Sequence, residues 1–156
     1  VAVGGQARTV MGGGGLVPGS VKREGAGVVL NRLQGALLAE AFKLVADGTI
    51  SADDLDKTVK DGLGLRWSFM GPFETIDLNA PGGVADYCAR YGPFYERLQA
   101  EQAPVLAWDA DLVARIEAER RKHLAADGLG ERQVWRDRRL MALLRHKKDA
   151  TDEYGG

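Results

Sequence analysis

The sequence predicts an all-α protein. Apolar residues recur at helical spacing in successive stretches from Val28 onward, and each stretch is bracketed by residues that start or stop helices. No run of five or more residues alternates apolar and polar in the way a half-buried strand does.

The first helix is expected from about Val28 to Asp47, with Gly48 as its C-terminal cap. At about 1.5 Å per residue it spans roughly 30 Å, enough to form the axis of a small domain. In "SADDLDKTVKDG", Ser51 is a natural N-cap and Asp53 and Asp54 suit the positive end of the helix. Leu55 and Val59 form its inward stripe and Gly62 is expected to end it. "LGLRWSFM" reads as a connector. "GPFETIDLNAPGG" restarts with Pro72 at position N1 and Glu74 in the first turn, and Pro81-Gly82-Gly83 closes it. "VADYCARYGPFYERLQ" is helical on both sides of a break at Gly92-Pro93. Asp109 caps the next helix, with Leu112, Val113 and Ile116 inward. The last helix, about 131 to 147, sets Val134, Met141 and Leu144 against arginines and lysines.

Organisation follows from these elements. Residues 1–27 form a glycine-rich leader with little to bury, 28–148 the helical domain, and 149–156 a polar tail expected to fray. "LVPGS" at 16–20 looks like a protease recognition sequence lacking its arginine, of the kind a cloning vector contributes. The alternative is a short strand.

Bulk properties exclude several function classes. Twenty-one basic against 22 acidic side chains leave a formal net charge of −1, so neither nucleic acid nor an anionic membrane has electrostatic support as a partner. A single cysteine, Cys88, rules out an internal disulfide and reads as a small buried hydrophobe. Charges interrupt every candidate membrane span, and no signal-peptide pattern opens the chain, so a cytoplasmic location is expected.

Two places invite a functional reading. On the first helix, Arg32, Glu40, Lys43 and Asp47 fall within an arc of about 80°, a solvated stripe, whereas Asn31 projects roughly 140° from its centre. Asn31 and Gln34 therefore belong on the face expected to be buried. A buried amide without partners costs about 1–3 kcal/mol, so Asn31 needs a backbone partner near the helix start or a ligand at the lip of a cleft. Both readings stay open.

The second place is "GLGLRWSFMGPFETIDLN", residues 62–79. Trp67, Phe69, Met70 and Phe73 read either as core or as an interface for substrate or a second subunit. Arg66 either pairs with Glu74 or Asp77 or reaches an anionic group or another subunit; aromatics beside an arginine suit an interface. Glycines 62, 64 and 71 do not form a phosphate-binding G-x-G-x-x-G. His123 and His146 sit on charged helix faces, and no metal-ligand spacing or nucleophile–base pattern occurs.

The stretch "GVVLNRLQGALLAEAFKLVADGTISADDLDKTVKDGLGLRWSFMGPFETIDLNAPGG" resembles the C-terminal domain of the 3-hydroxyacyl-CoA dehydrogenase family. The N-R-L helix, the acidic-capped helix and the G-P-F-E…D segment follow one another in the family's order, and the resemblance covers about residues 16 to 148. The tail "RQVWRDRRLMALLRHKK" is more similar to the lambda-crystallin group, whose members include L-gulonate 3-dehydrogenase.

This resemblance implies a multi-helix C-terminal dehydrogenase domain of the 6-phosphogluconate dehydrogenase C-terminal-like class. It implies that the whole enzyme oxidises a secondary alcohol with NAD, as in fatty-acid metabolism, and is a homodimer. An N-terminal Rossmann domain would bind NAD and supply a histidine–glutamate pair, and "LVPGSVKRE" resembles its last strand. Asn31 is the position that would reach the active site, acting on a small 3-hydroxy substrate, either an acyl-CoA or a sugar acid. These residues hold no NAD site of their own, so the chain alone is expected to be inert. The competing expectation is a free-standing α-helical interaction module without catalysis.

Overall fold

The computed structural model describes residues 29–155, and among them every regular element is helical. We number α1 Val29–Ala46, α2 Ala52–Lys57, α3 Gly64–Trp67, α4 Pro72–Leu78, α5 Gly83–Gln102, α6 Ala110–His123 and α7 Leu129–Tyr154. A π-helical segment, Thr58–Leu63, joins α2 to α3, and a 3-10 turn, Ala126–Gly128, precedes α7. The leader and its strand expectation lie outside the described residues. The chain divides into two compact units after Gly35, within α1.

In the unit that begins at Ala36, the end of α1 follows from its residues. Gly48 takes φ +82°, the left-handed conformation a C-terminal cap needs, and its N–H donates to the Val45 carbonyl at 3.3 Å. The Asp47 carboxylate accepts from the Thr49 side chain and from Thr49 N, the latter at 2.9 Å, and these two bonds, the side-chain one first, hold its pKa below the ordinary carboxylate value. Arg115 of α6 completes the closure: its guanidinium donates to the Val45 and Ala46 carbonyls at 2.8 and 3.2 Å. Phe42 stacks on Trp108 at 4.1 Å between centroids, 12° from coplanar. α1 and α6 are thus joined at their ends.

α2 begins as expected, with Ser51 Oγ accepting from Asp54 N at 3.1 Å. A second cap was not legible from local sequence: Glu119 of α6 accepts from Ala52 N at 2.9 Å. Gly62 does not stop this element. The Thr58 hydroxyl donates to the Asp54 carbonyl at 2.9 Å, the ladder widens into the π-helical segment, and the chain stays helical through Trp67. At Gly64 an added Cβ would stand 2.9 Å from the Val59 carbonyl oxygen, so the close approach requires glycine. "LGLRWSFM" is therefore largely helix rather than connector.

Gly92-Pro93 does not break its helix either, since α5 runs unbroken from Gly83 to Gln102. A proline clashes with the Cβ of the residue before it, and Gly92 has none; the costs that remain are the N–H Pro93 cannot donate and the crowding of its ring against the Ala89 carbonyl. α4 starts with Pro72 in its first turn, as expected, but closes at Asn79, before Pro81. Asp77 then caps α5 by accepting from Val84 N at 3.0 Å.

The core of the described residues is shallow: Val45, Ala52, Ala80 and Leu112 are the buried apolar residues, and Thr75 is the buried polar one. α2 packs on α6 and α4 on α5. On α6 the cap at Asp109 holds, its carboxylate accepting from Leu112 N at 2.9 Å. Leu112 is 7% exposed but Val113, expected inward, is 47% exposed. α7 continues to Tyr154 instead of stopping near 147, because no glycine or proline occurs between Gly130 and Gly155. Among the described residues no helix is long and apolar enough to cross a membrane.

Candidate functional site

Two surfaces collect the residues the sequence singled out. The first is the opening of α1. Asn31, Arg32 and Gln34 are all exposed, as are Leu30 and Leu33 around them. The buried face expected for Asn31 and Gln34 is not realised in these turns; burial along the helix sets in only from Glu40. The amide of Asn31 is accessible rather than enclosed.

The second surface runs through α3, the turn after it and the start of α4. Hydrogen bonds from Phe69 N and Met70 N to the Arg66 carbonyl, at 3.3 and 3.1 Å, curl the chain back. Thr75 then anchors α4, its backbone N–H and its hydroxyl both donating to the Gly71 carbonyl at 2.9 and 2.8 Å. The result presents Phe69 (69% exposed) and Phe73 (77% exposed) to solvent, with Leu65 and Trp67 exposed beside them and Met70 half-buried. The core reading of these aromatics is thereby removed. Clustered exposed apolar residues of this kind are the usual feature of interaction surfaces. Arg66 is exposed and forms no ion pair with Glu74 or Asp77 among the described residues. Asp77 is already committed to capping α5.

Charged clusters elsewhere serve the fold. Lys57 bridges Asp53 at 2.6 Å and Asp54 at 2.9 Å, and Arg120 and His123 reach Asp53 from α6 at 3.8 and 3.6 Å. Lys57 holds both carboxyls below their ordinary pKa, aided at Asp54 by Ser51, and its own ammonium is shifted up in turn. His123 thus faces a carboxylate rather than solvent alone, yet it lacks a neighbouring nucleophile. No group of three or more potential metal ligands occurs among the described residues.

A third feature escaped the sequence reading. Tyr87, Tyr91 and Tyr95 recur at i, i+4 and i+8 on α5, a spacing that was there to be read. The Tyr87 and Tyr95 hydroxyls lie 2.9 Å apart, and that hydrogen bond raises the Tyr87 pKa. Tyr87 and Tyr95, with Ile76, Cys88 and Glu96, line an open groove of about 400 Å³. Cys88 is exposed, not buried as expected, because nothing in its own unit covers that side of α5.

The arrangement therefore offers the accessible amides of Asn31 and Gln34 and an apolar, arginine-bearing surface, but no acid–base pair among the described residues. It also lacks a dinucleotide site: no strand–glycine turn–helix occurs among the described residues, so they do not fit NAD.

The chain matches the family model described as 3-hydroxyacyl-CoA dehydrogenase, C-terminal domain, over residues 27–121. It belongs to that family, and both the family and the all-α fold expected from the sequence hold. The lambda-crystallin homolog of Rattus norvegicus is 41% identical over 132 residues, covering 83% of this chain and 41% of the relative. The L-carnitine dehydrogenase of Pseudomonas aeruginosa is 31% identical over 142 residues, covering 90% and 44%. That of Streptomyces griseus is 35% identical over 133 residues, covering 81% and 38%. The chain spans about two fifths of the length of the curated relatives it matches.

Proposed function

We propose that this domain is the substrate-side and dimerisation part of a cytoplasmic NAD-dependent dehydrogenase. The whole enzyme oxidises the secondary alcohol of a 3-hydroxy substrate to a ketone. The observation that carries this reading is family membership over residues 27–121 together with the accessible Asn31 amide at the head of α1. An amide in that position donates its N–H to the reacting oxygen and orients it, a contribution that needs no charge on the protein side. The described residues supply neither a base nor a cofactor site, so NAD and the proton acceptor belong to an N-terminal nucleotide-binding domain of the same protein. Arg66 and the Trp67–Phe73 surface form substrate or subunit contacts in this reading.

The substrate class is narrowed by chemistry and by the relatives. 3-Hydroxyacyl-CoA thioesters, sugar acids such as L-gulonate, and L-carnitine, after which two of the relatives are named, are all 3-hydroxy acids or their thioesters. The test is a substrate screen with NAD on the full-length protein, read by NADH absorbance. Turnover of one of these three supports the proposal, and turnover of none, alongside a stable helical oligomer, would favour an interaction module instead.

A further inference from the structure

The groove along α5 has no task in the proposed function. Tyr87, Cys88, Gly92, Tyr95 and Glu96 line it from α5, and Ile76 lines it from α4. Gly92 leaves it open, since nothing stands within 4 Å of where a Cβ at that position would be. Both tyrosine rings are braced by aromatics that do not line the groove. Tyr87 packs on Tyr91 at 4.7 Å between centroids, and Tyr95 meets Phe94 edge-on at 5.4 Å. The Tyr87 and Tyr95 centroids are 6.4 Å apart and their planes 23° from parallel. One group resting between them can therefore lie within about 6 Å of both centroids, the range of a cation–π contact.

The lining selects the ligand. No cationic side chain lines the groove, and Glu96 forms no ion pair among the described residues. On α5 the cations are Arg90, tied to Asp86 at 2.7 Å, and Arg97. At about 100° per residue both project roughly 170° from the middle of the groove. An anion would thus meet the Glu96 carboxylate with nothing to balance it. The two tyrosine hydroxyls are hydrogen-bonded to each other at 2.9 Å, which occupies the donor of one of them. A primary ammonium brings three donors and finds few acceptors here. A quaternary ammonium brings none. Its methyl groups pack on ring faces and on Ile76, and its charge needs only a diffuse counter-ion such as Glu96.

We infer that this groove binds a quaternary ammonium group, with Tyr87 and Tyr95 as the aromatic faces and Glu96 as the countercharge. The inference does not rest on the proposed function.

Cys88 makes the site directly readable, because it lines the groove, is exposed and is the chain's one cysteine. The test follows the rate of Cys88 alkylation by iodoacetamide in the whole chain at constant ionic strength. Choline is compared with dimethylbutanol, its neutral isostere with carbon in place of nitrogen. Choline should slow the reaction saturably, and dimethylbutanol should need about fivefold more for the same protection. Tyr95→Leu should raise the half-protecting choline concentration about fivefold and Glu96→Gln about threefold. Tyr95→Phe keeps the ring and should stay within about twofold of wild type. Far-UV circular dichroism controls for folding. Should Tyr95→Leu lose helicity, Glu96→Gln, at an exposed position, decides alone. No protection by choline, equal protection by dimethylbutanol, or protection unchanged in the folded variants overturns the inference.

Discussion

Leu112 and Val113 are adjacent on α6, and both read as inward from the sequence, yet only Leu112 is buried. Truncating each to alanine therefore separates the structure from the pattern. Leu112→Ala removes three carbon groups from a side chain that is 7% exposed. At about 0.8 kcal/mol per group this amounts to roughly 2.4 kcal/mol, and a residual cavity adds to it. The shallow core can collapse around the gap, so a total of about 2.5–3 kcal/mol is expected, near the low end for leucine truncation. Val113→Ala removes two groups from a side chain that is 47% exposed and should cost at most about 0.5 kcal/mol. The assay is urea unfolding followed by far-UV circular dichroism, comparing midpoints at unchanged m-value. Equal losses, or a larger one at Val113, would refute the burial order on which the fold description rests.

Three further outcomes follow from the same geometry. Gly83 sits at φ +70° with Asp77 Oδ1 only 2.6 Å from where a Cβ would stand, so Gly83→Ala should cost about 2 kcal/mol in a thermal melt. Asp109→Ala should lose about 1 kcal/mol by removing the α6 cap, while Asp109→Asn should lose far less, as measured by urea midpoint. Asp53, Asp54 and Asp86 have folded pKa values below the ordinary carboxylate value of about 3.9, so folding favours their charged forms. That contribution is complete above the unfolded pKa and is lost as pH falls through the lower folded values. The melting temperature should fall steeply below about pH 4, and an Asp53→Asn, Asp54→Asn variant should fall less; parallel curves for the two would contradict the assignment.

What the sequence disclosed depended on range. Contacts within one or two turns were legible: the Ser51 and Asp109 caps, Pro72 at the start of α4 and the Gly48 stop all appear where side-chain chemistry puts them. Breakers were overread, because Gly62 and Gly92-Pro93 interrupt a pattern without supplying a reason to leave the helix. In the structure a π-helical segment and the missing Cβ of Gly92 absorb them. Contacts across the chain were invisible to periodicity: Glu119 on Ala52 N and Arg115 on the end of α1 join residues more than sixty positions apart. For the candidate site, the pattern separated Asn31 from Arg32 by direction but carried no information on whether an apolar face meets the chain's own core. Among the described residues Asn31, Phe69 and Phe73 are exposed, and these are the faces to which we assign external contacts.

The central claim is that the Asn31 amide acts on the reacting oxygen of a dehydrogenase substrate. The most direct measurement is kcat and KM of the full-length protein and its Asn31→Ala variant on the best substrate from the screen, with oligomer mass and melting temperature as controls. The account predicts that kcat falls about a hundredfold while KM, mass and stability hold, the signature of a lost donor to developing charge. An Asn31→Ala enzyme with unchanged kcat would contradict it.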